Sequence, residues 1–175
     1  MEKTANVTNR VANSSTELFN LEDIRPSGER VVFDLKDWLH EGLILQEKKF
    51  RHHVKSEDWT KYAGKHVAVT CSTDAIVPTW AFMAVVAELT PHARTVVLGD
   101  REVLEQELFR RELALIDWED YVGKKVVIKG CSDVAVPDFA YGEVVRSLAP
   151  LAKLIMYGEP CSNVPVYKQR KQKAV

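Results

Sequence analysis

Hydrophobic and polar residues follow one pattern twice along the chain, over residues 50–100 and again over 109–159. Each block opens with a short amphipathic stretch, residues 56–63 or 116–122, that Gly64 or Gly123 stops as a glycine stops a helix. A continuous apolar run comes next: His66-Val67-Ala68-Val69-Thr70, or Lys125-Val126-Val127-Ile128-Lys129. Short, β-branched and bounded by polar or glycine loops, these runs predict buried parallel strands. A loop then leads to Pro78 or Pro137, a residue type suited to the first turn of a helix. Ala81, Val85, Val86 and Leu89 recur at helical spacing until Pro91 ends the pattern. A second strand follows, residues 95–98 in one block and 154–157 in the other.

A shift of 59 positions superimposes the two blocks without a gap, and about a third of the aligned positions are identical. Phe50-Arg51, Asp58-Trp59, Tyr62 and Gly64 meet Phe109-Arg110, Asp117-Trp118, Tyr121 and Gly123. Asp74, Val77-Pro78, Ala81 and Gly99 meet Asp133, Val136-Pro137, Ala140 and Gly158. The reading is two tandem β-α-β repeats, joined by a helix over about residues 102–115 and preceded by one over 43–54. Parallel strands with helical crossovers make an α/β fold: an open, mainly parallel four-stranded sheet with helices on both faces. A pseudo-twofold relation places the first strand of each copy at the centre. The expected strand order is 2-1-3-4, extended at an edge by residues 30–35. Residues 18–168 are expected to form a single α/β domain, between a disordered tail (1–17) and a basic one (169–175). The recurring Trp59, Trp118, Tyr62 and Tyr121 read as core packing.

Composition narrows the setting. A formal charge of -1 and a pI near 6.5 give no global reason to expect nucleic acid. The first residues hold no apolar signal segment and no run reaches a membrane span, so the expectation is a cytoplasmic protein with no membrane partner. Three cysteines, an odd number, argue against a secreted disulfide framework.

Those cysteines carry the chemical interest. In an open parallel sheet ligands bind beyond the carboxyl ends of the strands. The loops there read Cys71-Ser72-Thr73-Asp74 and Gly130-Cys131-Ser132-Asp133, and Cys161 follows the last strand of the repeats by a few residues. In the 59-residue register Cys71 meets Gly130, Cys131 meets Ser72 and Cys161 meets Glu102, so no cysteine has a cysteine counterpart. One reading is a thiolate site for zinc, copper(I), iron or an iron–sulfur cluster, with Cys71, Cys131 and Cys161 as metal ligands. Asp74, Asp133, His53 or His66 could complete it. The other reading is packing, since free cysteine behaves as a small buried hydrophobe. Asp74 and Asp133 equally suit capping of nearby N–H groups, and Ser72 and Ser132 could cradle an anion. His52 and His53, beside Lys48, Lys49 and Arg51, read first as a solvated basic face. Three functions follow: a metal- or iron–sulfur-associated accessory protein, a non-enzymatic interaction module with structural cysteines, and a small-molecule enzyme using the Ser/Asp loops.

Residues 33–37 and 41–51, the two Cys-Ser loops, and the ending Gly158-Glu159-Pro160-Cys161-Ser162-Asn163-Val164-Pro165-Val166-Tyr167-Lys168 together resemble the family catalogued as domain of unknown function 2480. The resemblance covers about residues 18–168 and brings no catalytic residue with it. It implies an association with iron–sulfur assembly proteins as partners, since genes of that family often neighbour cluster-assembly genes.

Overall fold

Among the described residues, seven strands and four α-helices follow one another in the order β1 (Thr16–Asn20), β2 (Arg30–Asp34), α1 (Glu47–Ser56), β3 (His66–Thr70), α2 (Thr79–Leu89), β4 (Thr95–Leu98), α3 (Arg101–Leu113), β5 (Lys125–Lys129), α4 (Asp138–Leu148), β6 (Leu154–Glu159) and β7 (Ser162–Lys168). The structure is a computed structural model and describes residues 16–130 and 135–170. Most of the expected terminal tails, and Cys131, Ser132 and Asp133 with them, lie outside the described residues. The chain divides into two compact units: residues 26–111, and residues 1–25 together with 112–175.

In the unit of residues 26–111, β2, β3 and β4 form a parallel three-stranded sheet with β3 in the middle. The two-residue period of a strand sorts its side chains. Val67 and Val69 of β3 pack with Phe33, with Phe50 of α1, and with Ala81, Val85 and Leu89 of α2. Ala68, between them, joins Leu104 and Leu108 of α3, with Val97 packed alongside. Both faces of this sheet are therefore covered by helices. Before β2, the turn at residues 26–28 is pinned by side chains. Arg30 donates to Pro26 O (2.7 Å) and Gly28 O (2.5 Å), and His66 Nε2 donates to Ser27 O (3.0 Å).

In the other unit β1 runs parallel to β5, in the register that β2 keeps with β3. Phe19 pairs with Ile128 as Phe33 pairs with Val69. The aromatic clusters repeat with it. Phe19 stacks on Trp118 at 5.5 Å and 25°, and Phe33 on Trp59 at 5.6 Å and 24°. β6 joins β5 in parallel, and a two-residue turn at Pro160 and Cys161 folds β7 back antiparallel onto β6. Elements recur at the 59-residue offset: the 3-10 turns Trp59–Tyr62 and Trp118–Tyr121, strands β3 and β5, helices α2 and α4. Asp58 and Asp117 cap the two 3-10 turns alike, where a longer helix was expected.

The strand order needs correcting. Expected were four strands in one sheet, ordered 2-1-3-4, with β3 beside β5. Instead β2 takes the free edge of β3 and β1 takes that of β5, giving a three-stranded and a four-stranded sheet, β2-β3-β4 and β1-β5-β6-β7. Every unpaired strand edge presents N–H and C=O groups that seek partners. Two N-terminal strands of similar pattern, Leu18-Phe19-Asn20-Leu21 and Val32-Phe33-Asp34-Leu35, satisfy one such edge in each copy.

Candidate functional site

A cleft of about 530 Å³ opens in the unit containing β5 and β6, where the amino-terminal half of α4 stands over the carboxyl ends of those strands. Its helix wall is Asp138, Tyr141, Gly142 and Val145, spaced i, i+3, i+4 and i+7 and so aligned on one stripe. The stripe lies beside the buried one, Ala140, Val144 and Leu148. Ile128 of β5 and Tyr157 of β6, register partners, form the floor, and Val166 of β7 closes a third side. A register shift between Ile155 and Met156 gives β7 one extra residue there: Tyr167 pairs with Ile155 and Pro165 with Met156, leaving Val166 between them. Such a bulge re-aims a side chain, and Pro165 is tolerated because β7 is an edge strand.

The lining is mostly apolar, with two aromatic rings and one carboxylate. Tyr141 and Tyr157 meet edge to face, centroids 5.6 Å apart and planes at 87°. Asp138 is exposed in the first turn of α4, where a carboxylate is favoured by the helix dipole. Gly142 is the opening itself: a Cβ added there would meet nothing within 4 Å. Gly130 makes room of a second kind, since a Cβ on it would approach the Tyr141 hydroxyl to 2.5 Å.

In the unit of residues 26–111, elements of the same kind stand 59 positions earlier and carry different side chains. At the positions of Ile128, Asp138, Tyr141, Gly142, Val145 and Tyr157 it carries Val69, Thr79, Phe82, Met83, Val86 and Leu98. Met83 stands where Gly142 leaves space, and the unit has no strand in the place of β7. The cleft was not foreseen from the sequence, although these mismatches are written in the alignment of the two copies.

Of the residues singled out from sequence, Cys71, Ser72, Asp74, His53 and His66 belong to the unit of residues 26–111, and Cys161 to the other. Cys71 follows β3, half-buried against the core of its unit, with Sγ 3.5 Å from Thr73 Oγ1. Ser72 is held by Asp34 at the end of β2: its N–H donates to Oδ1 (3.0 Å) and its hydroxyl to Oδ2 (2.5 Å). Partial burial raises the Asp34 carboxyl, but hydrogen bonds from Ser72 and Lys36 outweigh it and hold the group below the usual carboxylate range. Ser72 is thereby a latch on the loop. Thr73 strengthens the latch by donating to Gly42 O (3.2 Å). Asp74 is exposed and leaves the amino end of α2 without a side-chain cap. His53 stacks on Trp38 at 5.4 Å and 20°. His66 is buried at the amino end of β3, five residues and about 16 Å of strand from Cys71, too far for the two to share an ion. Cys161 is exposed at the tip of the β6–β7 hairpin. Among the described residues, no group of three or more His, Cys, Asp and Glu side chains converges as a metal site would.

The residues of the latch, Asp34 and Ser72, are replaced at the corresponding positions of the other unit. Asn20 stands in the register position of Asp34, and Cys131 in the sequence position of Ser72. Asn20 instead binds Asp23 and accepts from the amide of Glu22.

A family model described as "Protein of unknown function (DUF2480)" matches residues 5–169. No curated protein and no solved structure matches the chain.

Proposed function

The chain belongs to the DUF2480 family, and on that premise we propose, from its own geometry, that it is a small-molecule-binding protein with its site in the cleft of α4, β5, β6 and β7. The observation that carries the reading is Gly142 in the middle of α4. Glycine inside a helix costs about 1 kcal/mol against alanine, and here that cost opens a cleft beside two tyrosines and a carboxylate. The ligand class follows from the lining: a compact, mainly apolar molecule with an aromatic ring for Tyr141 and Tyr157 and an N–H or O–H donor for Asp138. A multiply charged anion is disfavoured, because Asp138 would repel it. Binding of a set of aromatic amine and alcohol fragments, followed by NMR shift changes, tests this. Shifts gathered on Ile128, Val145, Tyr157 and Val166 are expected; shifts elsewhere, or none, would sink the reading.

A second reading keeps metal chemistry: an iron–sulfur-associated or zinc accessory protein in the cytoplasm, working with cluster-assembly partners. The parallel pairing of β5 with β6 favours it, since in the sequence Cys131 comes two residues after β5 and Cys161 two after β6. Cys71, packed in the other unit's core, is a packing residue in this version. Anaerobic purification with metal analysis and visible spectroscopy checks it. Bound metal that Cys131→Ser and Cys161→Ser remove and Cys71→Ser keeps is the expected result; metal-free, colourless protein refutes it. The recurrence of elements at one offset also supports descent of both units from a duplicated β-α-β ancestor.

A further inference from the structure

Helix α1 carries Lys48, Lys49, Arg51, His52, His53 and Lys55, and these line a shallow depression of about 730 Å³ along the helix. Its fixed charge is +3, four cations (Lys48, Lys49, Arg51, Lys55) less Glu47. Among the described residues only Arg51 of the six makes an ion pair, with Glu47 at 2.8 Å. Two of the side chains also rest on tryptophan rings: Arg51 lies 5.2 Å over Trp80, and His53 stacks on Trp38.

The same unit also exposes large apolar side chains. Leu43 and Ile44, each 60% exposed, lie in the loop that leads into α1, and Ile76, 94% exposed, lies in the loop that leads into α2. The two loops are tied together by the Thr73 hydroxyl on Gly42 O. Exposure of three large aliphatic residues on adjoining loops contributes nothing to folding; water would rather exclude them.

We propose that this surface docks reversibly on an anionic lipid bilayer, the lysines and Arg51 against headgroup phosphates and Leu43, Ile44 and Ile76 in the acyl boundary. Cations backed by exposed aliphatic residues are the composition of an interfacial membrane contact. A single-stranded nucleic acid would call for free aromatic faces, and Trp38 and Trp80 are already covered by His53 and Arg51. An acidic peptide would gain nothing from Ile76 standing clear of the surface. No helix among the described residues is long and apolar enough to cross a membrane, so the contact is peripheral. It is independent of the cleft, and either can fail alone.

Vesicle flotation of the full chain tests it, with phosphatidylcholine vesicles containing roughly one-third phosphatidylglycerol, set against pure phosphatidylcholine. Binding only to the anionic vesicles, and released by salt, is expected. Lys48→Glu with Lys49→Glu should weaken it by at least roughly twentyfold, at about fivefold per lysine lost. Ile76→Ser should weaken it at every salt concentration, and Lys153→Glu, an exposed lysine of the other unit, should leave it unchanged. All of these positions are exposed, so circular dichroism should show folded variants. Equal partition to both vesicles, no partition, or the same loss in Lys153→Glu would overturn the proposal. So would capture of polyglutamate or RNA by a chain that leaves vesicles unbound.

Discussion

Asp34 and His66 show at the residue scale how one strand pair uses its two ends. Asp34 is charged in the fold more readily than in the open chain, because Ser72 and Lys36 donate to it. Its stabilising contribution is therefore present above the unfolded carboxylate range and is lost as pH falls through the lower, folded value. Asp34→Asn should cost roughly 1 kcal/mol at neutral pH after solvent screening and should flatten the acid limb of a stability–pH curve followed by urea denaturation. An unchanged acid limb would show that the latch is idle. His66 behaves in the opposite chemical sense with the same slope. Burial is the largest cause, and with the charges of Arg30 and Arg94 it outweighs the bond to Ser27 and holds the imidazole below its ordinary range. The neutral ring is thus stabilising above the unfolded value, about 6.5, and the contribution fades as pH drops below it. His66→Gln should remove that dependence on the acid side of about pH 6.5. Gly28 sits against this ring at φ +126°, and a Cβ there would come within 2.9 Å of Nε2, so Gly28→Ala should destabilise the unit, read as a lower midpoint in thermal melting.

The elements differ in how plainly the sequence announces them. α2, α4, β3 and β5 were legible because each buries a periodic stripe: Ala81, Val85 and Leu89 in one copy, Ala140, Val144 and Leu148 in the other. β1 and β7 were not, for a physical reason. β1 buries only Phe19 of its five residues, and β7 is an edge strand with no fully buried residue, so neither has the amphipathic contrast that marks a strand. The partner of β1 is β5, more than a hundred residues away, and local pattern holds no record of a pairing at that distance. The cleft was hidden for a related reason. Its helix residues sit beside the buried core stripe of α4, where a pattern of hydrophobicity alone looks like noise. Comparison of the copies position by position uncovers them: Met83 against Gly142, Thr79 against Asp138, Leu98 against Tyr157. An element-scale prediction follows from the open space at Gly142. Gly142→Ala should stabilise α4, and with it the fold, by about 0.5–1 kcal/mol, seen as a higher urea midpoint at constant slope. A loss of stability would show that the helix requires glycine for packing and that the cleft is incidental.

At the scale of the whole molecule, residues 26–111 interrupt the other unit between the 3-10 turn Leu21–Ile24 and the approach to β5. This continuous stretch holds its own parallel sheet and helices on both sheet faces. Expressed alone, it should unfold cooperatively and give a dispersed NMR spectrum; a collapsed spectrum would mean that its core depends on the rest of the chain. The two units share a scaffold and differ in contents. One carries Met83 on α2 and latches its strand-end loop through Asp34 and Ser72. The other replaces those three residues by Gly142, Asn20 and Cys131 and adds β7. The three cysteines, which first marked the departure from symmetry, are one part of a wider asymmetry whose largest consequence is the cleft. The most direct test restores the first copy's residue to the second. Calorimetric titration of the best aromatic amine fragment into wild type and Gly142→Met should give saturable binding to wild type and at least a roughly tenfold weaker constant, or none, in the variant, since one methionine side chain is worth about 1.5–3 kcal/mol of occupied apolar space. Equal affinity in a folded Gly142→Met chain would contradict the account.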